Sequence, residues 1–406
     1  MADFARSSDA RVQAQLDRLA MQSPAGDRLG LERTAELLER LGRPQDKLPP
    51  IFHVAGTNGK GSTCAFLRAG LEAADYGVHV FTSPHLVRFN ERIRIAGKLV
   101  EDAALADLLD EVIGTSEGIE PSFFEVATVV AFLAFSRAPA DACILEVGLG
   151  GRLDATNVIE HPLVTGIASL GLDHQQFLGP DIASIASEKA AIAKRGVPLV
   201  SLAQPAEAEQ EIARVAAERG APLLLEGRDW SVDGDLQPGL AGPHQRRNAG
   251  LASEMLAVQD RLCVPRAAFV SAIKNASWPA RFQQLADGPL TRGVPTWIDG
   301  AHNPSAAAAL ADLLAERGPM HLVLGILANK DAQAIVAALA PHTLSLTFVP
   351  VPDHDHHDPA ELAGRFGGHA AASVQEALAD LPSPRLLAGS LYLAGEALAS
   401  NGEVPD

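Results

Sequence analysis

Ile51-Phe52-His53-Val54-Ala55-Gly56-Thr57-Asn58-Gly59-Lys60-Gly61-Ser62-Thr63 reads as a buried strand, a glycine-rich turn and the start of a helix. Gly56, Gly59 and Gly61 let the backbone turn sharply and bring N–H groups close to a ligand, while a helix beginning near Lys60 aims its positive end at the same point. The natural guest of such a turn is a phosphate. Lys60 would add a mobile charge for its outer oxygens, and Ser62 or Thr63 a hydroxyl for a bound Mg2+. The spacing departs from the pattern G-x-x-x-x-G-K-[ST], because Gly61 stands between the lysine and the hydroxyl residue. The bland alternative is an ordinary strand-to-helix turn; the preceding strand, the lysine and the paired hydroxyls favour a nucleotide site.

Working outward, strand and helix patterns alternate on both sides of this turn, which makes a largely parallel α/β sheet the economical architecture. Helices are expected over 7–19, 31–41, 60–74, 102–113, 123–135, 182–194 and 207–218. Strands are expected over 78–81, 142–147, 163–168, 197–202 and 222–225. Polar groups recur where strands end, the place where open α/β sheets bind ligands: Thr82-Ser83-Pro84-His85, then Glu146 before Gly148-Leu149-Gly150-Gly151, then Leu172-Asp173-His174. Glu146 closes an apolar strand, so it faces a cation or a polar cleft, or else simply reaches solvent. His174 taken alone would read as a solvated loop histidine. The alternation breaks in the Pro- and Gly-rich stretch ending at Asp287, which gives domains at 1–287 and 288–406. The second repeats the α/β pattern, with strands over 296–299, 321–326, 344–351 and 385–388, and again places polar groups at a strand end, Asp299-Gly300-Ala301-His302-Asn303. His354, His356 and His357, with Asp353, Asp355 and Asp358, have a metal-tract composition but lie in one short loop before a helix, and read as solvated.

The 406 residues are 47% hydrophobic, enough for two cores. Against 33 Lys and Arg stand 50 Asp and Glu, a net charge of −17 that repels a nucleic-acid backbone. The longest apolar run, near 126–135, is too short to span a bilayer, and the N-terminus has no signal-peptide pattern, so no membrane role and a cytoplasmic location are expected. Cys64, Cys143 and Cys263 are widely spaced in apolar surroundings and read as buried reduced thiols.

Together the motifs resemble the dihydrofolate synthase/folylpolyglutamate synthase family of the Mur ligase superfamily, from about Leu29 to Gly395. They are HVAGTNGKGST (53–63), TSPHL (82–86), FNERI (89–93), FFE (123–125), LEVGLGGRLDATN (145–157), LDH (172–174), SEKA (187–190), GPHQRRNA (242–249), WPAR (278–281), DGAHNP (299–304) and GSLYLAG (389–395). The resemblance implies a P-loop NTPase-like N-terminal domain and a smaller Rossmann-like C-terminal glutamate-ligase domain. It also implies ATP-driven joining of L-glutamate to dihydropteroate and to reduced folates such as tetrahydrofolate, through an acyl phosphate and with Mg2+. Gly59, Lys60, Gly61, Ser62, Asn248, Arg281 and Asp299 would hold ATP. Ser83, Glu146, His174 and Lys189, the last as a carbamate, would hold the metal. Leu29, Gly30, Phe123, Phe124, Glu125, Leu153, Asp154 and Ala155 would form the pterin pocket, where aromatic faces suit a flat ring and a carboxylate its N–H edge. His302 would lie near the triphosphate or the incoming glutamate. Lys60, Lys189 and His302 would be the catalytic residues, and a monomer is expected.

The carbamate has support in the residues themselves. Ile182, Ile185, Lys189 and Ile192 fall on one helical stripe, and burial there favours the neutral amine that CO2 needs; the alternative is a lysine that snorkels to an acidic neighbour. The chain departs from the family where EKAGI reads EKAAI (188–192) and WPGR reads WPAR, the latter straining the backbone if residue 280 needs a positive φ. Competing readings are a monofunctional folylpolyglutamate synthase, another Mur-type amino-acid ligase acting on a peptidoglycan precursor, and a nucleotide-binding switch or interaction module without ligase activity.

Overall fold

The computed structural model describes residues 5–22 and 29–406; Gly26-Asp27-Arg28, just before the predicted pterin residues Leu29 and Gly30, lie outside them. The first half of the chain runs α1 (Ala10–Gln22), α2 (Glu32–Arg40), β1 (Ile51–Ala55), α3 (Lys60–Glu72), β2 (Val78–Phe81), β3 (Ile93–Ile95), β4 (Lys98–Leu99), α4 (Asp102–Thr115), α5 (Phe123–Arg137), β5 (Ala142–Glu146), β6 (Val164–Ile167), α6 (Gln175–Leu178), α7 (Ile182–Ala190), β7 (Leu199–Ser201), α8 (Ala206–Arg219) and β8 (Leu223–Leu225). After it come α9 (Pro243–Ala257), α10 (Arg266–Ala272), β9 (Gln283–Gln284), β10 (Thr296–Ile298), α11 (Pro304–Arg317), β11 (Met320–Leu324), α12 (Ala332–Leu339), β12 (Thr343–Phe348), α13 (Pro359–Phe366), β13 (His369–Ala370), α14 (Val374–Leu378), β14 (Arg385–Ala388) and α15 (Leu391–Asn401).

Two compact units result. The first takes the described residues up to Leu170, His174–Pro238 and Arg246–Ala276; the second takes Gly171–Asp173, Gly239–Gln245 and Ser277–Asp406. The first holds an eight-stranded sheet in the order β4-β3-β2-β5-β1-β6-β7-β8, parallel except at the β3 and β4 edge. β1 lies between β5 and β6 and is buried along its whole length, as a strand covered on both faces must be. One apolar cluster joins α1, α2, α4 and α5 to residues of β2 and β5, among them Phe81, Cys143 and Leu145. Another joins α7 and α8 to β6 and β7. α9 fits closely over β6, where a Cβ on Gly166 would come within 2.4 Å of Met255 Sδ. The second unit is a six-stranded sheet, β13-β12-β11-β14-β10-β9, parallel except for β9. It encloses its own core of α11 and α12 leucines with Phe348 and Leu386. The α/β class and both largely parallel sheets are as the sequence suggests.

Three local expectations change. The helix expected over 182–194 stops at Ala190. Beyond it Asn157 Nδ2 donates to Ala191 O at 3.3 Å, occupying a carbonyl that a further helical turn would use, and the Lys194 side chain donates to Asn157 O at 3.1 Å. Cys64 and Cys143 are buried, but Cys263 is exposed, in the turn after α9 where its N–H donates to Tyr76 Oη. The histidine loop also has more structure than a solvated loop. His357 Nε2 lies 2.9 Å from Lys330 O, and the rings of His354 and Tyr392 stack at 3.8 Å. Among the described residues no group of three or more His, Cys, Asp or Glu could hold a metal ion, and no helix is long and apolar enough to cross a membrane.

Candidate active site

In the first unit, β1 delivers the chain into a turn in which Thr57 and Asn58 both donate their N–H groups to Ser169 O, at 2.9 and 3.0 Å. Gly59 then takes φ 85°, a left-handed conformation that glycine adopts freely, and caps α3. The N–H groups of Lys60, Gly61 and Ser62, in the first turn of α3, have no intrahelical carbonyl to bind and point to the anion side of the helix. Thr63 Oγ1 donates to Gly59 O at 2.9 Å, so that hydroxyl is committed. Ser62 Oγ is buried with no hydrogen-bond partner. Of the two hydroxyls left open by the sequence, Ser62 is therefore the one with unmet bonding capacity. Asn248, buried on α9, approaches the same turn so closely that a Cβ on Gly59 would sit 2.4 Å from its Oδ1.

At the end of β5, Glu146 is 4% exposed, which excludes the solvent-facing alternative, and its Oε2 accepts the Ser83 N–H at 3.2 Å. Two candidate metal ligands from neighbouring strand ends thus meet. Lys189 is buried at 5% exposure on the apolar side of α7, whereas Glu188 turns out to pair with Arg152 at 2.9 Å. The backbone of Lys189 packs on Gly151, where a Cβ would lie 3.0 Å from Lys189 Cα. His174 caps α6 with φ 51° and is half-buried. A magnesium ion takes few protein ligands, mostly oxygens, and keeps the rest of its shell for water and phosphate. The adjacent Ser83 and Glu146, with the unsatisfied Ser62 hydroxyl in the turn, suit that sparse hard-donor set better than a dense cage.

Of the expected pterin residues, Phe123 and Phe124 open α5 and make aromatic contacts with Phe89 and Phe81. Phe123 meets Phe89 edge to face at 5.8 Å, and Arg92, buried, lies 5.4 Å from the Phe123 ring. Phe124 covers Gly148, where a Cβ would be 2.4 Å from its ring. Leu29 and Gly30 lead into α2, Gly30 beside the Glu32 carboxylate. Glu125 is already engaged. Arg33 donates to both its oxygens, at 3.0 and 2.9 Å, and the Ser122 N–H to one at 2.6 Å. Sequence reading missed Arg33, although a buried carboxylate demands a cation somewhere. Asp154 is fully occupied too, accepting from the N–H groups of Gly148, Leu149 and Thr156 at 2.9 to 3.0 Å and from the Thr156 hydroxyl. Leu153 and Ala155 flank it.

The second unit brings together Arg281, Asp299 and His302. Asp299 accepts the Phe282 and Ala301 N–H groups, both at 2.8 Å, and burial pushes its carboxyl above the ordinary range against the pull of Arg281. Ala280 does take φ 54°, so the alanine of WPAR sits where glycine is at ease. His302 Nδ1 lies 2.7 Å from Gly300 O; a carbonyl can only accept, so the proton is on Nδ1 and Nε2 is bare in the neutral ring. Asp173, which the sequence shows only as a polar group after a strand, is the hub. It binds Lys330 in an ion pair, accepts from Asn303 Nδ2 at 3.0 Å and lies 3.5 Å from His302 Nε2. Lys330 had no motif to announce it, being one polar residue in the loop after β11.

Residues 280–393 match the family described as "Mur ligase, glutamate ligase domain". The chain is 37% identical over 347 residues to the dihydrofolate synthase/folylpolyglutamate synthase of Bacillus subtilis, covering 77% of this chain and 79% of that protein. Against the Escherichia coli enzyme of the same description it is 37% identical over 326 residues, covering 77% and 75%. The structure superposes on E. coli FolC in complex with DHPP and ADP with a TM-score of 0.86 at 32% identity, covering 97% of this chain and 98% of that one. For the Yersinia pestis bifunctional enzyme complexed with AMPPNP and Mn the TM-score is 0.87 at 32% identity, with coverage of 98% and 99%. The chain belongs to the dihydrofolate synthase/folylpolyglutamate synthase family of Mur-type ligases.

Proposed function

We propose that this protein is an ATP-dependent ligase that adds L-glutamate to dihydropteroate, giving dihydrofolate, and to reduced folates, giving folylpolyglutamates, in the cytoplasm. The observation that carries the reading is the glycine turn at Gly59, with its buried unsatisfied Ser62 hydroxyl, in a chain whose relatives carry this activity over most of their length.

A carboxylate is a poor electrophile, because its leaving group would be oxide. In the first step a carboxylate oxygen of the pterin substrate attacks the γ-phosphorus of ATP and the bond to ADP breaks, leaving an acyl phosphate. In the second the neutral amine of glutamate attacks the acyl carbon, phosphate departs and the amine releases a proton. The chain's residues bind and orient. The first-turn N–H groups of α3 and Lys60 hold the phosphates, and Asn248, Arg281 and Asp299 the remainder of the nucleotide. Phe123, Phe124 and the Leu29-Gly30 and Leu153-Ala155 segments hold the pterin, and His302 faces the triphosphate or the amino acid. Ser83, Glu146, His174 and a carbamylated Lys189 would hold Mg2+, which when bound offsets phosphate charge. The burial of Lys189 supports the carbamate; extra density on its Nζ in crystals grown with bicarbonate is expected, and an ammonium paired to a carboxylate would remove it.

Phosphate release from ATP should require both a pterin carboxylate and L-glutamate, and should proceed with dihydropteroate and with tetrahydrofolate. Turnover with tetrahydrofolate but not dihydropteroate would reduce the activity to folylpolyglutamate synthesis, and turnover of a muramyl nucleotide instead would refute the reading.

A further inference from the structure

On either side of Arg281 the backbone is left-handed, with Ala280 at φ 54° and Phe282 at φ 44°. A positive φ is uncommon outside glycine, and for a bulky residue it is an outlier that the surroundings must impose. The Phe282 ring is buried, stacks on Trp297 of β10 with centroids 6.2 Å apart, and has the Arg317 guanidinium 5.9 Å away. Three hydrogen bonds fix the backbone of the turn. The Phe282 N–H donates to Asp299 Oδ2 at 2.8 Å, the Gly300 N–H to Ala280 O at 2.9 Å, and the Ala280 N–H to Gln283 Oε1 at 3.0 Å. The first two partners belong to the strand end after β10. The third is the side chain of Gln283, half-buried in β9, whose backbone lies opposite Ile298 of β10. An N–H can only donate, so the side-chain amide must present its oxygen to Ala280.

The turn decides where the guanidinium goes. Arg281 Nη1 donates to Ala280 O at 2.9 Å, the same carbonyl that takes the Gly300 N–H, and a Cβ on Gly300 would lie 2.8 Å from that nitrogen. The cation is therefore laid over Gly300, in the strand end that carries Asp299 and His302. A long side chain loses rotamer freedom when it binds a ligand, and a turn that has already chosen its direction reduces that loss. We propose that Gln283, which none of the sequence motifs contains, is a positioning residue for the nucleotide: its amide oxygen holds the Ala280 peptide, and the Ala280 carbonyl holds Arg281 in the direction from which it meets ATP. An apolar side chain of the same size at 283 would leave the Ala280 N–H, in a residue with no exposed surface, without an acceptor. The escape open to Ala280 is to rotate towards ordinary negative φ, which carries its carbonyl and Arg281 away from Gly300. The consequence for ATP rests on the ligase reading; the geometry of the turn does not.

Gln283→Leu and Gln283→Glu test it. In calorimetric titration with AMPPNP and Mg2+, Gln283→Leu should bind about tenfold more weakly than the parent, the size of effect that one buried donor left without a partner produces. Gln283→Glu, which keeps an oxygen acceptor, should recover most of the affinity. In steady-state kinetics Gln283→Leu should raise KM for ATP by a similar factor and leave KM for dihydropteroate unmoved. Unchanged affinity in Gln283→Leu, equal losses in the two variants, or a KM for dihydropteroate that rises as much as that for ATP would overturn the positioning role. A crystal structure of Gln283→Leu should show Ala280 out of the left-handed region and the guanidinium away from Gly300; an unmoved Arg281 would overturn the role whether or not the protein is a ligase. A parent that binds no AMPPNP would instead refute the ligase reading, and the place of Arg281 in that crystal would then decide the turn.

Discussion

Ala280 carries an L-residue at φ 54° in the interior of the second unit. The left-handed conformation costs about 1–2 kcal/mol, while exchanging the methyl for hydrogen loses about 0.8 kcal/mol of burial and adds backbone freedom to the unfolded chain worth about 0.5–1 kcal/mol. These nearly cancel, so Ala280→Gly is expected to stay within about 0.5 kcal/mol of the parent in urea unfolding. A loss well beyond that would show that position 280 does not want glycine. His53 gives a pH dependence. Its folded pKa of about 3 lies below the ordinary 6.5, so on acidification the unfolded chain binds the proton first and stability is lost as pH falls from 6.5 towards 3, at about 1.4 kcal/mol per unit. His244, held to about 4 by burial, acts in the same direction. Between pH 7 and 5 the parent should therefore lose about 2 kcal/mol more than His53→Gln, and equal losses would contradict the assignment. Sequence spacing exposed Lys60, Glu146 and Lys189 because each breaks a local pattern. It missed Arg33, Lys330 and the role of Asp173, all of which depend on partners far along the chain.

At the level of elements, the turn between β1 and α3 was legible because glycine, lysine and hydroxyl residues follow a strand. Its resolution was not, because only packing shows that Thr63 is committed to Gly59 O while Ser62 is unsatisfied. Gly59→Ala would meet a left-handed φ of 85° and a collision with Asn248. Nucleotide affinity is expected to fall at least about tenfold, the equivalent of the 1–2 kcal/mol backbone penalty, in a protein that still unfolds cooperatively. Unchanged affinity by titration with an ATP analogue would separate the turn from the phosphates. The length of α7 shows the opposite limit. Its apolar stripe continues to Ile192, but the helix stops at Ala190, where Asn157 donates to the next carbonyl, Ala191 O, and no local signal encodes that contact.

For the whole chain, alternation of strands and helices was enough to give two α/β units, but not the three-residue segment Gly171–Asp173 that the second unit takes from the middle of the first. A fragment of residues 277–406 would lack Asp173 and leave the Lys330 ammonium, 7% exposed, without that carboxylate. Breaking a buried pair from one side costs about 3–5 kcal/mol, so the fragment should show no cooperative unfolding transition by circular dichroism, whereas a stable fragment would mean that the pair is dispensable. The most direct test of the ligase follows an atom. With heavy oxygen in the carboxylate of dihydropteroate, turnover with ATP and L-glutamate should place one label in the released phosphate for each amide formed. Amide formation with phosphate free of label would contradict the acyl-phosphate route.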